Sequence, residues 1–315
     1  MRVAYQAGVL AALDEAGLRF HHVDGASGGT MNLSMILSGL EPRELCERWR
    51  MLDPRGFLGI LPLREYLRSP HWPALGGSDG LREKVFPHLG IDVASIRAAD
   101  GVVGTYNVAN FATKEAEVVE HPDVDMDLLV AAVTLPVLMP AVLRSATAYT
   151  DAVWIRDSNV PEAVRRGSDE VWLVWCIGNT PTYANGLFRQ YVHMIEMAAT
   201  GSLLGDLEHL GCAPGSERLR LHVIKPEVPL PLDPSYLFGR IDAAALVDLG
   251  YQDARCYLAD PTPFVSPFGP DVTRTRAARP GTSVRLALEG PFALGVRDPA
   301  EGVACGTMLR VHLRL

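Results

Sequence analysis

Two stretches of this 315-residue chain have the spacing Gly-x-Ser-x-Gly: Gly25-Ala26-Ser27-Gly28-Gly29 and Gly76-Gly77-Ser78-Asp79-Gly80. A serine on a tight bend between strand and helix can present its hydroxyl to a carbonyl. Small neighbours allow the bend, and the first N–H groups of the following helix face the developing oxyanion. In a chain with 29 glycines the spacing also arises by chance, so context must separate the two. Ser27 follows the strand-like FHHVD and precedes the apolar TMNLSMILSGL. Ser78 follows HWPAL, where Pro73 argues against a central strand, and Asp79 reads as a helix cap before LREKVF. Ser27 is therefore the candidate nucleophile, with Gly25, Gly28 and Gly29 forming its elbow. A plain Gly-rich turn is the structural alternative.

A serine needs a base. A Ser…Asp…His order can be drawn with His193 or His222. Against it, Ser27 comes too early for a sheet in which several strands precede the elbow. His193 lies in the helical QYVHMIEMAA, where a packed or surface histidine is commoner. His222 falls on the polar face of its strand, where solvation is the plain reading.

The elements that must hold these residues alternate in type. Val3 to Ala16 has helical periodicity and Gly17 is placed to end it. A strand over Phe20 to Asp24 and a helix over Thr30 to Leu40 enclose the elbow. Residues 41–101 are rich in Pro, Gly and aromatics and read as loops and short helices over a cleft. Gly101 to Val108 reads as a strand. Leu128 to Leu143, LLVAAVTLPVLMPAVL, is interrupted by Pro136 and Pro140 and reads as a buried helix and an extended segment, too short to span a bilayer. Ala148 to Thr150 ends a strand, and Glu162 to Arg166 forms a short helix stopped by Gly167. Glu170 to Ile177 is a continuous apolar run that fits a strand buried on both faces. Arg218 to Ile224 alternates with period two, like a strand with one buried face near a sheet edge. Asn185–Leu204 and Ile241–Leu258 read as helices. Residues 261–282 read as a linker and 283–315 as a β-rich tail, a hairpin or the start of a separate module.

Composition narrows the function classes. A formal net charge of −8 gives no electrostatic reason to bind nucleic acid. Cys46, Cys176, Cys212, Cys256 and Cys305 are scattered, with neither a zinc pattern nor a disulfide framework, and Cys176 reads as a small buried residue. No secretory signal is visible, and the expected compartment is a reducing cytoplasm. Of 29 basic residues only Lys84, Lys114 and Lys225 are lysine, a bias that points to a GC-rich bacterial genome.

The segment AYQAGVLAALDEAGLRFHHVDGASGGTMN resembles the N-terminal block of patatin-like phospholipases, with Gly8, Leu10, Leu13, Gly17, Gly25, Ser27, Gly29 and Asn32 on the pattern. A second, more degenerate block stands in YTDAVWIRDSNVPEAVRRG, with Asn159-Val160-Pro161 as its Asn-x-Pro. The resemblance covers roughly residues 1–260 and implies a three-layer α/β/α patatin-like sheet, here followed by a short C-terminal β appendage. It implies a Ser-Asp dyad without histidine: Asp151 accepts the proton of Ser27, an acyl-serine forms, and the same carboxylate activates water. Asp157 is the rival base. No metal or cofactor is implied. The implied substrate is a lipid or other acyl ester, phospholipid or lysophospholipid, with peripheral membrane contact through Phe57, Leu58, Ile60, Leu61 and Trp72; core packing explains those residues equally well.

The sequence departs from the family twice. Ala152-Val153 replaces glycines after the aspartate, so that loop is expected to run differently. Arg2 falls on the arginine of the family's Gly-Gly-Gly-x-Arg loop, whose glycines and preceding strand are absent. That departure raises the expectation of a start-site truncation, and of a rival reading: a catalytically silent fragment or regulatory binding domain without an oxyanion hole. A Ser-His-Asp esterase or thioesterase is a third.

Overall fold

The computed structural model describes residues 2–57, 59, 74–177, 183, 185–230 and 242–275. Its elements are α1 (Ala4–Glu15), β1 (His22–Gly25), α2 (Gly29–Leu37), α3 (Pro42–Met51), α4 (Phe86–Leu89), α5 (Val93–Ala98), β2 (Val103–Asn110), β3 (Glu115–Glu120), α6 (Met126–Ala131), β4 (Val142–Arg144), β5 (Thr147–Asp151), α7 (Val160–Arg165), β6 (Glu170–Val174), α8 (Leu187–Gly211), β7 (Arg220–Ile224) and α9 (Ala243–Ala259). The expected tail, 283–315, lies outside the described residues, as do Leu58, Ile60, Leu61 and Trp72.

The register of the larger sheet explains why two distant residues meet. β2 pairs from Thr105 to its end with antiparallel β3, Thr105 opposite Glu120 through Asn110 opposite Glu115. Its other edge is shared. Parallel β1 occupies the first half and ends with Gly25 opposite Tyr106. Antiparallel β5 occupies the second half and ends with Asp151 opposite Val108. The two strands therefore run toward each other along one edge, and the residues that follow them leave the sheet at the same place. β4 extends β5 outward.

The smaller sheet pairs β6 with β7 in parallel, Glu170 opposite Arg220 through Val174 opposite Ile224. Side chains alternate between its faces. Trp172, Val174 and Ile224 join a core built on α1, α2, α3 and α9. Val171, Leu173, Leu221 and Val223 join a second core with Ile195, Ala199, Leu203 and Leu207 of α8. The result is a mixed α/β fold with its sheet between helical layers. β6 itself is only half-buried rather than buried on both faces; full burial comes just after it, at Trp175 and Cys176.

The first helical layer is held by close approach of backbones. A Cβ on Gly8 of α1 would lie 1.9 Å from Val247 O of α9, and one on Gly250 would lie 1.9 Å from Tyr5 O. The same contact is locked by Tyr5 Oη donating to Asp253 at 2.8 Å. Residues 261–275, expected to begin a linker, pack instead on the second core. Phe264 bridges Leu221, Val272 is buried, and Lys225 donates to the carbonyls of Asp271 and Val272. Apolar Phe264, Phe268 and Val272 supply the surface that makes this favourable. No described helix is long and apolar enough to cross a membrane.

Candidate active site

Ser27 leaves β1 and enters α2 with φ of +49°, the left-handed region that non-glycine residues seldom occupy. The turn is fixed by Gly29 N–H donating to Ala26 O at 2.8 Å and Thr30 N–H to Ser27 O at 3.0 Å. Gly28 has no room for a side chain, because a Cβ there would meet Val3 Cγ1 at 2.1 Å. Its N–H, at the start of α2, has no acceptor among the described residues and is free for a ligand oxygen.

Asp151 ends β5 fully buried. Ser27 Oγ donates to its Oδ2 at 2.7 Å. Its Oδ1 accepts Val153 N–H at 2.9 Å, and its own N–H donates to Thr134 O at 3.0 Å. Each oxygen thus has one donor, and backbone and side chain are both anchored. Burial raises the carboxyl to about 8; the hydrogen bonds from Ser27 and Val153 pull it down, and the charge of Asp157 pushes it up. Ala152 and Val153 form a buried 3-10 turn with Trp154, and neither has a positive φ, so the loop without glycines takes a path that suits a β-branched residue.

Asp157, the rival base, makes no hydrogen bond to Ser27. Burial raises its carboxyl to about 7, with Arg2 opposing. Arg2 is buried and donates through Nη2 to Glu196 of α8 at 3.0 Å. Cys176 is buried and its thiol is pushed up to about 12 by desolvation. Asp79 lies within its first helical turn rather than capping it, where Leu81 N–H donates to Ser78 O. His222 is buried, not solvated: it stacks on Trp172 at 4.0 Å and bonds Tyr257 Oη at 2.9 Å, because α9 covers that face. His193 stacks on Tyr183 and sits 3.8 Å from Glu196. Among the described residues no group of three or more His, Cys, Asp or Glu is placed to hold a metal ion.

Two features escaped the sequence. Tyr191 of α8 donates to Pro136 O, and the charge of Asp151 adds to burial in raising its phenol. Beneath the elbow, Asp24 accepts from Asn107 and Thr105; burial raises its carboxyl to about 7.

The family model for patatin-like phospholipase matches residues 1–164, which hold both Ser27 and Asp151. The chain belongs to the patatin-like phospholipase family. This membership supports lipid hydrolysis in general terms. Among solved structures, VipD from Legionella pneumophila is similar with a TM-score of 0.45 and 13% identity, the match covering 84% of this chain and 66% of that one. The comparison with curated proteins gives no match.

Proposed function

We propose that this patatin-like chain hydrolyses acyl esters of lipids, phospholipid or lysophospholipid, through a Ser27-Asp151 dyad. The observation that carries the reading is the 2.7 Å hydrogen bond from a strained elbow serine to a buried carboxylate. In this reading ionised Asp151 takes the Ser27 proton as Oγ attacks the ester carbonyl, and Gly28 N–H donates to the oxyanion. Collapse expels the alcohol, which leaves with the proton from Asp151. Asp151 then takes a proton from water, which attacks the acyl-serine, and collapse returns Ser27 and frees the fatty acid.

Exposed apolar side chains lie next to the segment that Tyr191 holds, and an acyl chain would suit them. Val137 and Leu75 are exposed, joined by Leu75 N–H to Val137 O, and Val137 follows the carbonyl that Tyr191 holds. Contact with a membrane surface would use such residues. Phe57, by contrast, is partly buried against the first core. A triad is not favoured by the geometry, since Ser27 Oγ donates to Asp151 rather than to a histidine, while His193 stacks on Tyr183 and His222 on Trp172.

The test is hydrolysis of a p-nitrophenyl ester by the wild type, Ser27→Ala and Asp151→Asn. Loss of more than about a thousandfold in both variants is expected. Equal rates for wild type and Ser27→Ala would leave the chain a silent member of its family.

A further inference from the structure

Asn159 stands at the N-cap of α7, yet its side chain makes no cap hydrogen bond. Asparagine at that position ordinarily accepts from the first turn of its own helix. Here Nδ2 instead donates to Asn107 Oδ1 at 2.9 Å, both residues being buried. The other end of the Asn107 amide faces the elbow strand. Its Nδ2 lies 2.6 and 2.7 Å from the two oxygens of Asp24 and 3.3 Å from Gly25 O. Thr105 Oγ1 donates to Asp24 Oδ2 at 2.9 Å, which leaves it to accept from His22 Nε2 at 2.8 Å. Each of these contacts matches a donor to an acceptor, which favours one arrangement of the network.

Its placement gives it a task. Asp24 and Gly25 immediately precede the elbow. Asn159 closes the loop that begins at Asp151. Asn107, central in β2, hydrogen-bonds to both. We propose that Asn107 is a positioning residue whose amide clips the strand carrying Ser27 to the end of the loop carrying Asp151, and so fixes the distance between hydroxyl and carboxylate. Its catalytic consequence rests on the Ser27-Asp151 reading; the clip itself does not.

Three variants test it. Asn159→Ala removes the donor. Asn159→Asp keeps the size and offers α7 a better cap, but has no N–H for Asn107. Asn107→Ala removes both halves of the clip. A residue that merely ends a helix would be improved by Asn159→Asp. A clip is broken by it, so kcat should fall about 10- to 100-fold in both Asn159 variants while KM moves less than about twofold. Adding Asn159→Ala to Asn107→Ala should cost nothing more. Wild-type kcat in Asn159→Asp, or a change confined to KM, would overturn the proposal.

Amide hydrogen exchange reads the clip without any turnover. In Asn159→Asp, segments 22–31 and 151–165 should both exchange at least about tenfold faster, with 220–224 unchanged. Acceleration confined to 151–165 would overturn the clip even if Asn107→Ala fails to fold. If the wild type hydrolyses no more ester than Ser27→Ala, the catalytic reading falls and the exchange result still decides the clip.

Discussion

Asp151 must satisfy two opposed demands. A base that takes a proton from serine has to be ionised, but a carboxylate stripped of water resists ionisation. Desolvation wins in the resting site and holds the group at about 8, above the usual carboxylate range. Ester hydrolysis should therefore rise roughly tenfold per pH unit below about 8 and level off above it. A rate profile already flat from pH 5 would show that another group limits the reaction. Asp157→Asn removes a raising charge and should move the inflection to lower pH. The same shift has a cost in stability. Because the folded value lies above the unfolded one, the fold holds its proton more tightly. The contribution is therefore complete below the unfolded value and is lost as pH rises through about 8. Asp151→Asn can still accept from Val153 and donate to Ser27. Urea midpoints should show it matching the wild type near pH 4 and gaining progressively to about pH 8. A constant difference at all pH values would contradict this origin.

Among the elements, α1 and α9 set how deeply the first layer can sit on the sheet. They touch backbone to backbone at Gly8 and Gly250, so one methyl group must push the helices apart. Gly250→Ala should destabilise by about 1–3 kcal/mol in urea, despite alanine's better helix propensity; a gain in stability would mean that the helices pack less closely than 1.9 Å implies. Gly8 was visible in the sequence as part of a block, and α1, the elbow strand and α2 were legible because hydrophobic period and glycine punctuation agree there. Asp151 was visible through family resemblance, its place after the strand-like AYT and before small Ala152 fitting the family pattern better than that of Asp157. What separates them is the register of β5 against β2, a long-range property. Asn107 and Asn159 were not read as a pair for the same reason. β6 read as fully buried because its composition is apolar, but composition does not say how many edges are paired. The packed segment 261–275 read as a linker because Pro and Gly signal turns, and turns can lie against a core.

At the scale of the whole molecule, the Ser27-Asp151 contact crosses the seam between two cores. Val3 and α2, around the serine, belong to the first, while Val153 and Val160, flanking the aspartate, belong to the second. A second bond crosses nearby: Arg2, one residue before the Val3 that packs on Gly28, pairs with Glu196 in the middle of α8. Both side chains are more than nine-tenths buried, and Arg2 Nε and Nη1 have no hydrogen-bond partner. A buried cation with a single bonded acceptor depends heavily on it, because the alternative is a desolvated charge. Glu196→Ala should therefore cost about 3–5 kcal/mol of global stability, far more than the removal of a surface pair, while Glu196→Gln should cost less because it keeps an acceptor. Replacing both partners, as Arg2→Met with Glu196→Leu, should recover most of the loss, since it removes the stranded charge as well as the bond. That recovery separates an electrostatic tie from simple packing of α8. If the double variant is as unstable as Glu196→Ala alone, the seam is held by shape at this point and the ion pair contributes little.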